Sequence, residues 1–188
     1  TLHDQLKLAE EWTRTDYALA ALFETWGIEY RTGGRNACAQ ASDAGLTCLY
    51  QKASWTGLQQ MDRPAILTLV DDNGSSHSVV LTAISGGKAE LSIGGVRVTH
   101  PITEIIGYWF GEFMLLWRPP TGAAVSLGPG SQGPGVSWLR NSLAAIDERY
   151  ASSNSLSETF DSELDQIVRR FQQEHRLDVD GLAGQQTQ

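Results

Sequence analysis

The sequence predicts an α+β domain followed by a small all-α domain, and three observations carry that prediction. Helix-forming stretches come early and strand-type runs come late within the first 117 residues, which is the order of an α+β fold rather than a βαβ repeat. From Val136 onward the apolar residues recur only at helical spacing. Between the two regions, four of the six prolines fall from Pro119 to Pro134, in a stretch also rich in glycine. A domain boundary is therefore placed near residue 121, giving domains at 1–120 and 121–188.

The elements follow in chain order. Residues Tyr17 to Trp26 are rich in helix formers, and Gly27 supplies a stop. A second helix covers Ala37 to Ala44 and closes at Gly45. Leu46 to Tyr50 reads as a short strand, and Ser54 as the cap of a short helix through Met61. The unbroken apolar run Ala65 to Val70 suits a buried strand. His77 to Ile84 and Lys88 to Ile93 flank Ser85-Gly86-Gly87, a hairpin with glycines for positive φ. Val96 to Val98 reads as a further strand, Thr103 to Trp109 as a helical turn and Phe113 to Trp117 as a last strand. In the second domain, Val136, Leu139, Leu143 and Ile146 form one apolar helix face. Phe160, Leu164, Ile167, Val168 and Phe171 form another, with Asp161 as N-cap. Asp180-Gly181 and Gly184 mark a tight turn.

Composition excludes several functions. Hydrophobic residues make up 41% and charged residues 19%, the balance of a chain that builds a core. The formal net charge is -8 with no basic stripe, which argues against nucleic acid and against anionic lipid. No apolar run reaches the roughly 18 residues needed to span a membrane. The chain opens at Thr1-Leu2-His3 without an initiator Met or signal peptide, and reads as a segment of a longer protein. The four histidines are scattered, so no zinc-type spacing or cofactor is expected. Cys38 and Cys48 form one disulfide in an oxidising compartment or stay as two separate thiols, and their count alone does not choose.

The second domain resembles a known family. Leu127-Gly128, Gly133, Gly135-Val136, Trp138-Leu139-Arg140, Leu143, Phe160-Asp161, Val168, Phe171-Gln172, Leu177, Asp180-Gly181-Leu182, Gly184 and Thr187 occur in the order of the peptidoglycan-binding repeat found beside wall hydrolases. The resemblance covers residues 125–188. It implies a three-helix fold whose third helix is cut short by the end of the chain. Gln172, Asp180, Gly181 and Gly184 are its ligand-binding candidates: the amide can be offered to glycan or peptide, and the Asp-Gly turn permits close backbone approach. Taken singly, Gln172 reads sooner as a solvated helix residue and Asp180 sooner as a structural Asx turn.

The first domain resembles the papain-like cysteine peptidases that trim leader peptides in bacteriocin exporters. The resemblance rests on Arg63-Pro64-Ala65-Ile66, His77-Ser78-Val79-Val80-Leu81, Gly86-Gly87, Trp109-Phe110-Gly111 and Leu115-Leu116. It implies a nucleophilic cysteine where this chain has Thr13-Arg14-Thr15-Asp16-Tyr17-Ala18, and an orienting Asp where it has Ser92-Ile93-Gly94. Only His77 remains, as a vestigial catalytic candidate. Thr13 and Thr15 are weak nucleophiles without a base and its orienter. Asp71 and Asp72 adjoin the His77 loop but, being adjacent in a strand end, point apart. The expectation is an inactive peptidase fold.

Gly45-Leu46-Thr47-Cys48-Leu49, Ser54-Trp55, Arg63-Pro64-Ala65-Ile66-Leu67 and Arg169-Arg170-Phe171-Gln172 together resemble the periplasmic part of the general secretion pathway A family, ATPase-bearing inner-membrane proteins of type II secretion. That resemblance implies a periplasmic address, an upstream ATPase domain and membrane span outside this chain, and a Cys38–Cys48 bridge. It implies non-catalytic peptidoglycan binding and scaffolding that helps assemble the secretin through the wall, with a B-type partner protein and self-association as further contacts. The alternative expectation is a wall-targeted peptidase or amidase that uses His77.

Overall fold

The computed structural model describes residues 1–120, 126–184 and 187. The chain divides into two compact units, Thr1–Trp117 and Arg118–Gln188. The linker residues Thr121-Gly122-Ala123-Ala124, and the boundary expected near residue 121, lie outside the described residues.

The first unit begins with α1 (Leu2–Leu8), whose Thr1 and Asp4 form a capping box, and a 3-10 helix at Glu10–Thr13. Then come α2 (Thr15–Thr25), α3 (Ala37–Asp43), β1 (Thr47–Lys52) and α4 (Trp55–Met61). Asn36 caps α3 by accepting from the Ala39 N–H at 2.8 Å, and Ser54 caps α4 by accepting from the Gly57 N–H at 3.2 Å. The remaining elements are β2 (Ala65–Val70), β3 (Ser76–Ser85), β4 (Lys88–Ile93), β5 (Val96–Pro101), α5 (Ile102–Ile106) and β6 (Trp109–Trp117). One antiparallel sheet results, in the order β1-β6-β2-β3-β4-β5.

The sheet is covered on both faces, which explains why its central strands lack alternation. Along β2, Ala65, Leu67 and Leu69 join one core with Leu2, Leu6, Leu58 and Ile105, while Ile66 joins another with Leu19, Leu22, Phe23 and Ala41. Along β6, Phe113, Leu115 and Trp117 face the first core, and Met114 and Leu116 the second. Two-residue Gly-Gly turns close β3–β4 and β4–β5, all four glycines having positive φ from 56 to 82°, as the tightest hairpins need.

Two elements of the first unit differ from the sequence reading. Helix α1 was not expected: seven residues with only Leu2 and Leu6 buried are too short to show a period. The helical turn stops at Ile106, and Trp109 opens β6 instead. That strand passes Ala53 so closely that a Cβ on Gly111 (φ 96°) would lie 2.8 Å from the Ala53 carbonyl oxygen.

In the second unit, α6 (Pro134–Ile146) has its proline in the first turn, where the missing N–H costs nothing. A 3-10 turn at Glu148–Tyr150 leads to α7 (Ser162–Glu174). Asp161 caps α7 through a 2.9 Å bond from the Leu164 N–H. Val136, Leu139 and Leu143 pack against Phe160, Leu164, Val168 and Phe171, and a bridge between Leu127 and Ala183 closes the unit. Ile146, expected on the buried face, is 58% exposed, and Arg140 takes an interior place instead. Among the described residues the unit holds two α-helices and the 3-10 turn, and no third α-helix.

Candidate functional site

Two clusters bear on function, one in each unit. In the second unit, α7 delivers Gln172 beneath the turn at 180–184. Its amide donates from Nε2 to Asp180 Oδ1 (2.8 Å), the Leu182 carbonyl (3.1 Å) and Thr187 Oγ1 (3.2 Å), and Oε1 accepts from the Gly181 N–H (2.9 Å). Gln172 is 1% exposed. The expectation that its amide is offered to a ligand is therefore corrected: its hydrogen-bonding capacity is spent inside the module. It is not a solvated helix residue either.

Asp180 is exposed, and its Oδ1 also accepts from the Leu182 N–H at 2.8 Å. That bond, then the Gln172 amide, holds its carboxyl below the ordinary range. Gly181 adopts φ 76°, and a Cβ there would fall 2.4 Å from Asp165 Oδ1 and 2.5 Å from Arg169 Nη2. The glycine thus lets the turn lie on the Asp165–Arg169 ion pair (3.0 Å), whose guanidinium also donates to the Val179 carbonyl at 3.2 Å. Gly184 donates its N–H to the Leu182 carbonyl at 2.9 Å. The four residues named from the sequence are thus brought together. Asp180 and Leu182 (43% exposed) form the outward part of the turn.

In the first unit, β3 carries His77 into the interior at 2% exposure. Its Nδ1 lies 2.8 Å from Thr13 Oγ1, and its Nε2 lies 3.6 Å from Asp71 Oδ2. The hydroxyl, imidazole and carboxylate follow the order of a nucleophile, base and orienter. Sequence reading had given His77 no such partners. Thr13 is 64 residues away in sequence, and adjacent carboxylates such as Asp71 and Asp72 are expected to diverge. They do diverge: Asp72 faces His3 at 3.8 Å while Asp71 turns inward. Asp71 is also fixed by N–H donors of Ser75 (2.8 Å) and Asn73 (2.9 Å) on Oδ1, and these, the Ser75 bond foremost, lower its pKa.

Two features weigh against catalysis. Thr13 is 2% exposed, and its hydroxyl donates to the Glu10 carbonyl at 2.9 Å. A hydroxyl has one proton, so the Glu10 carbonyl competes with the His77 Nδ1 for the proton that a base would have to take. Thr15, at the surface, instead meets Ser78 Oγ at 3.3 Å. At the place expected for an orienting Asp, Gly94 backs onto Trp12: a Cβ on Gly94 would lie 2.6 Å from the Trp12 Cβ.

Cys38 and Cys48 are joined in a disulfide that ties α3 to β1, with Cα atoms 5.5 Å apart. Among the described residues no group of three His, Cys, Asp or Glu side chains could hold a metal.

A six-stranded antiparallel sheet packed between helices, with the end of a 3-10 helix and a strand histidine meeting in its interior, defines a peptidase-like domain, here followed by a small helical module. Residues 5–119 match the family described as GspA, peptidase C39-like domain, and residues 132–188 match a peptidoglycan binding domain. The chain belongs to the GspA peptidase C39-like family. It is 32% identical over 173 residues to general secretion pathway protein A of Aeromonas hydrophila, a match covering 92% of this chain and 31% of that protein. The chain spans about a third of the length of the curated relatives it matches. Among solved structures, it is similar to a periplasmic domain of the EpsAB fusion protein of the Vibrio vulnificus type II secretion system, with a TM-score of 0.58 and 27% identity, covering 93% of this chain and 76% of that one. The peptidoglycan-binding module and the general secretion pathway relationship expected from the sequence are thus in place.

Proposed function

We propose that this chain is a non-catalytic periplasmic scaffold, part of an inner-membrane protein, that holds peptidoglycan through its second unit and helps assemble the type II secretin through the wall. The single observation that carries the reading is the joint match, along nearly the whole chain, to a GspA-type domain followed by a peptidoglycan binding domain. A periplasmic address is supported by the similar EpsAB domain and by the Cys38–Cys48 bridge, a bond of oxidising compartments. No described helix is long and apolar enough to cross a membrane, so the anchor would lie elsewhere in the protein. The first unit would then contact partner proteins: a B-type secretion component, which the fusion named in the Vibrio relative supports, or copies of itself. The test is co-sedimentation with purified sacculi. Residues 1–188 are expected in the pellet, and their staying in the supernatant would remove the wall-binding claim.

One observation favours a second reading, a wall-targeted peptidase or amidase: the Thr13–His77–Asp71 order. The burial of Thr13 and the competition of the Glu10 carbonyl for its proton speak for the scaffold instead. Sacculi incubated with the protein decide between the two. Soluble fragments released by the wild type and not by His77→Ala would establish the enzyme; no release beyond a blank supports the scaffold.

A further inference from the structure

A buried amide whose partners all lie in one loop has a different role from an amide offered to a ligand. Among the described residues, the side-chain bonds of Gln172 all go to Asp180, Gly181, Leu182 and Thr187. Its own carbonyl accepts from the Leu177 N–H at 2.8 Å, where the chain leaves α7 toward that loop. An apolar residue would fill the space without the cost of desolvating an amide. What the amide adds is direction: it fixes one oxygen of the Asp180 carboxylate while Asp180 and Leu182 face outward.

We propose that Gln172 is the positioning residue of the wall-binding turn. It sets the Asp180 carboxylate and the neighbouring Leu182 side chain in their binding arrangement, and it does not touch the wall. The inference rests on the reading that this module holds peptidoglycan. Asp180 is the contact, and Gln172 acts through it.

Gln172→Glu in the whole chain tests this, because the side chain keeps its shape and its acceptor for the Gly181 N–H. While protonated, the carboxyl donates to Asp180 as the amide does; once ionised, it sets two carboxylates face to face. Burial and the Asp180 charge both raise the introduced carboxyl above its ordinary value of about 4.3. For a raised carboxyl the turn is intact below its pKa and is lost as pH rises through it. Sacculus co-sedimentation between about pH 5 and about pH 8 is read against the wild type at each pH, with near-UV circular dichroism on the same samples. The expected result is wild-type binding for Gln172→Glu at the acid end and a fall of about tenfold or more at the alkaline end, the dichroism unchanged. Gln172→Leu, which has no donor, is expected to bind weakly at every pH.

Three results would overturn the proposal. Either variant could bind as wild type throughout, in which case the turn needs no positioning. Binding and dichroism could fall together, which leaves the amide a purely structural role. If the wild type itself does not sediment, the wall-binding reading fails and this inference fails with it; the wild-type arm alone tells that case from the others.

Discussion

Arg140 is 1% exposed, and its Nη2 donates to Asp161 Oδ2 at 2.6 Å and to the Thr159 carbonyl at 2.9 Å. Asp161 also caps α7. Asp161→Ala therefore removes two things at once. Loss of the cap costs about 1 kcal/mol. Stranding a fully buried charge costs about 3–5 kcal/mol, but the Asp161 side chain is 41% exposed, and solvent screening reduces that to roughly 2 kcal/mol. The sum is about 3 kcal/mol, a large share of the roughly 5–15 kcal/mol that stabilises a domain. Hydrogen exchange of the 162–174 segment, read by mass spectrometry, should then quicken by roughly 150-fold if exchange follows unfolding of the unit. Replacing the stranded cation by an apolar side chain of similar length, Arg140→Met, should restore most of the loss in the double variant and leave only the cap deficit. A double variant as unstable as Asp161→Ala alone would refute the reasoning, since the loss would then not come from an unpaired buried charge. The pH dependence has a fixed sign. The Leu164 N–H and then Arg140 depress the Asp161 carboxyl. Its contribution is accordingly full above the ordinary value of about 3.9 and is lost as pH falls through the lower folded value.

Three further outcomes are expected. Gly181→Ala places a methyl group against Asp165 and Arg169 at positive φ, and should destabilise the second unit by roughly 1–3 kcal/mol in urea titrations. Replacing both Cys38 and Cys48 by Ser opens a short loop whose closure is worth about 2–3 kcal/mol, so the melting temperature of the first unit should drop, and adding reductant to the wild type should reproduce the drop. Thr13→Val leaves His77 Nδ1 without its oxygen partner and should cost about 1–3 kcal/mol of stability in the same titration, with no change in sacculus binding.

Much of the fold was legible because its signals are local. The run Ala65 to Val70, the Gly86-Gly87 hairpin, the Ser54 cap and the Asp161 cap each follow from neighbouring residues, and each appears in the structure. What escaped depends on distant pairing. An arginine on a helix reads as solvent-facing until Thr159 and Asp161, about twenty residues on, are seen to receive it, and Ile146 is correspondingly left outside. Gln172 belonged to the Phe171-Gln172 pattern of the module, yet spacing cannot say whether an amide points to a ligand or to its own loop. The His77 cluster shows the same limit: His77 and Thr13 are each legible singly, while their pairing and the inward turn of Asp71 emerge only when the 3-10 helix at Glu10–Thr13, the end of β2 and β3 are packed together.

The central claim is that the second unit attaches this protein to the wall and the first does not. The direct measurement is sacculus co-sedimentation of residues 1–188 beside residues 1–124, at equal concentration and moderate salt. The account predicts that the longer chain pellets and the shorter one, folded by circular dichroism, stays in solution. Equal pelleting of both, or of neither, would contradict it.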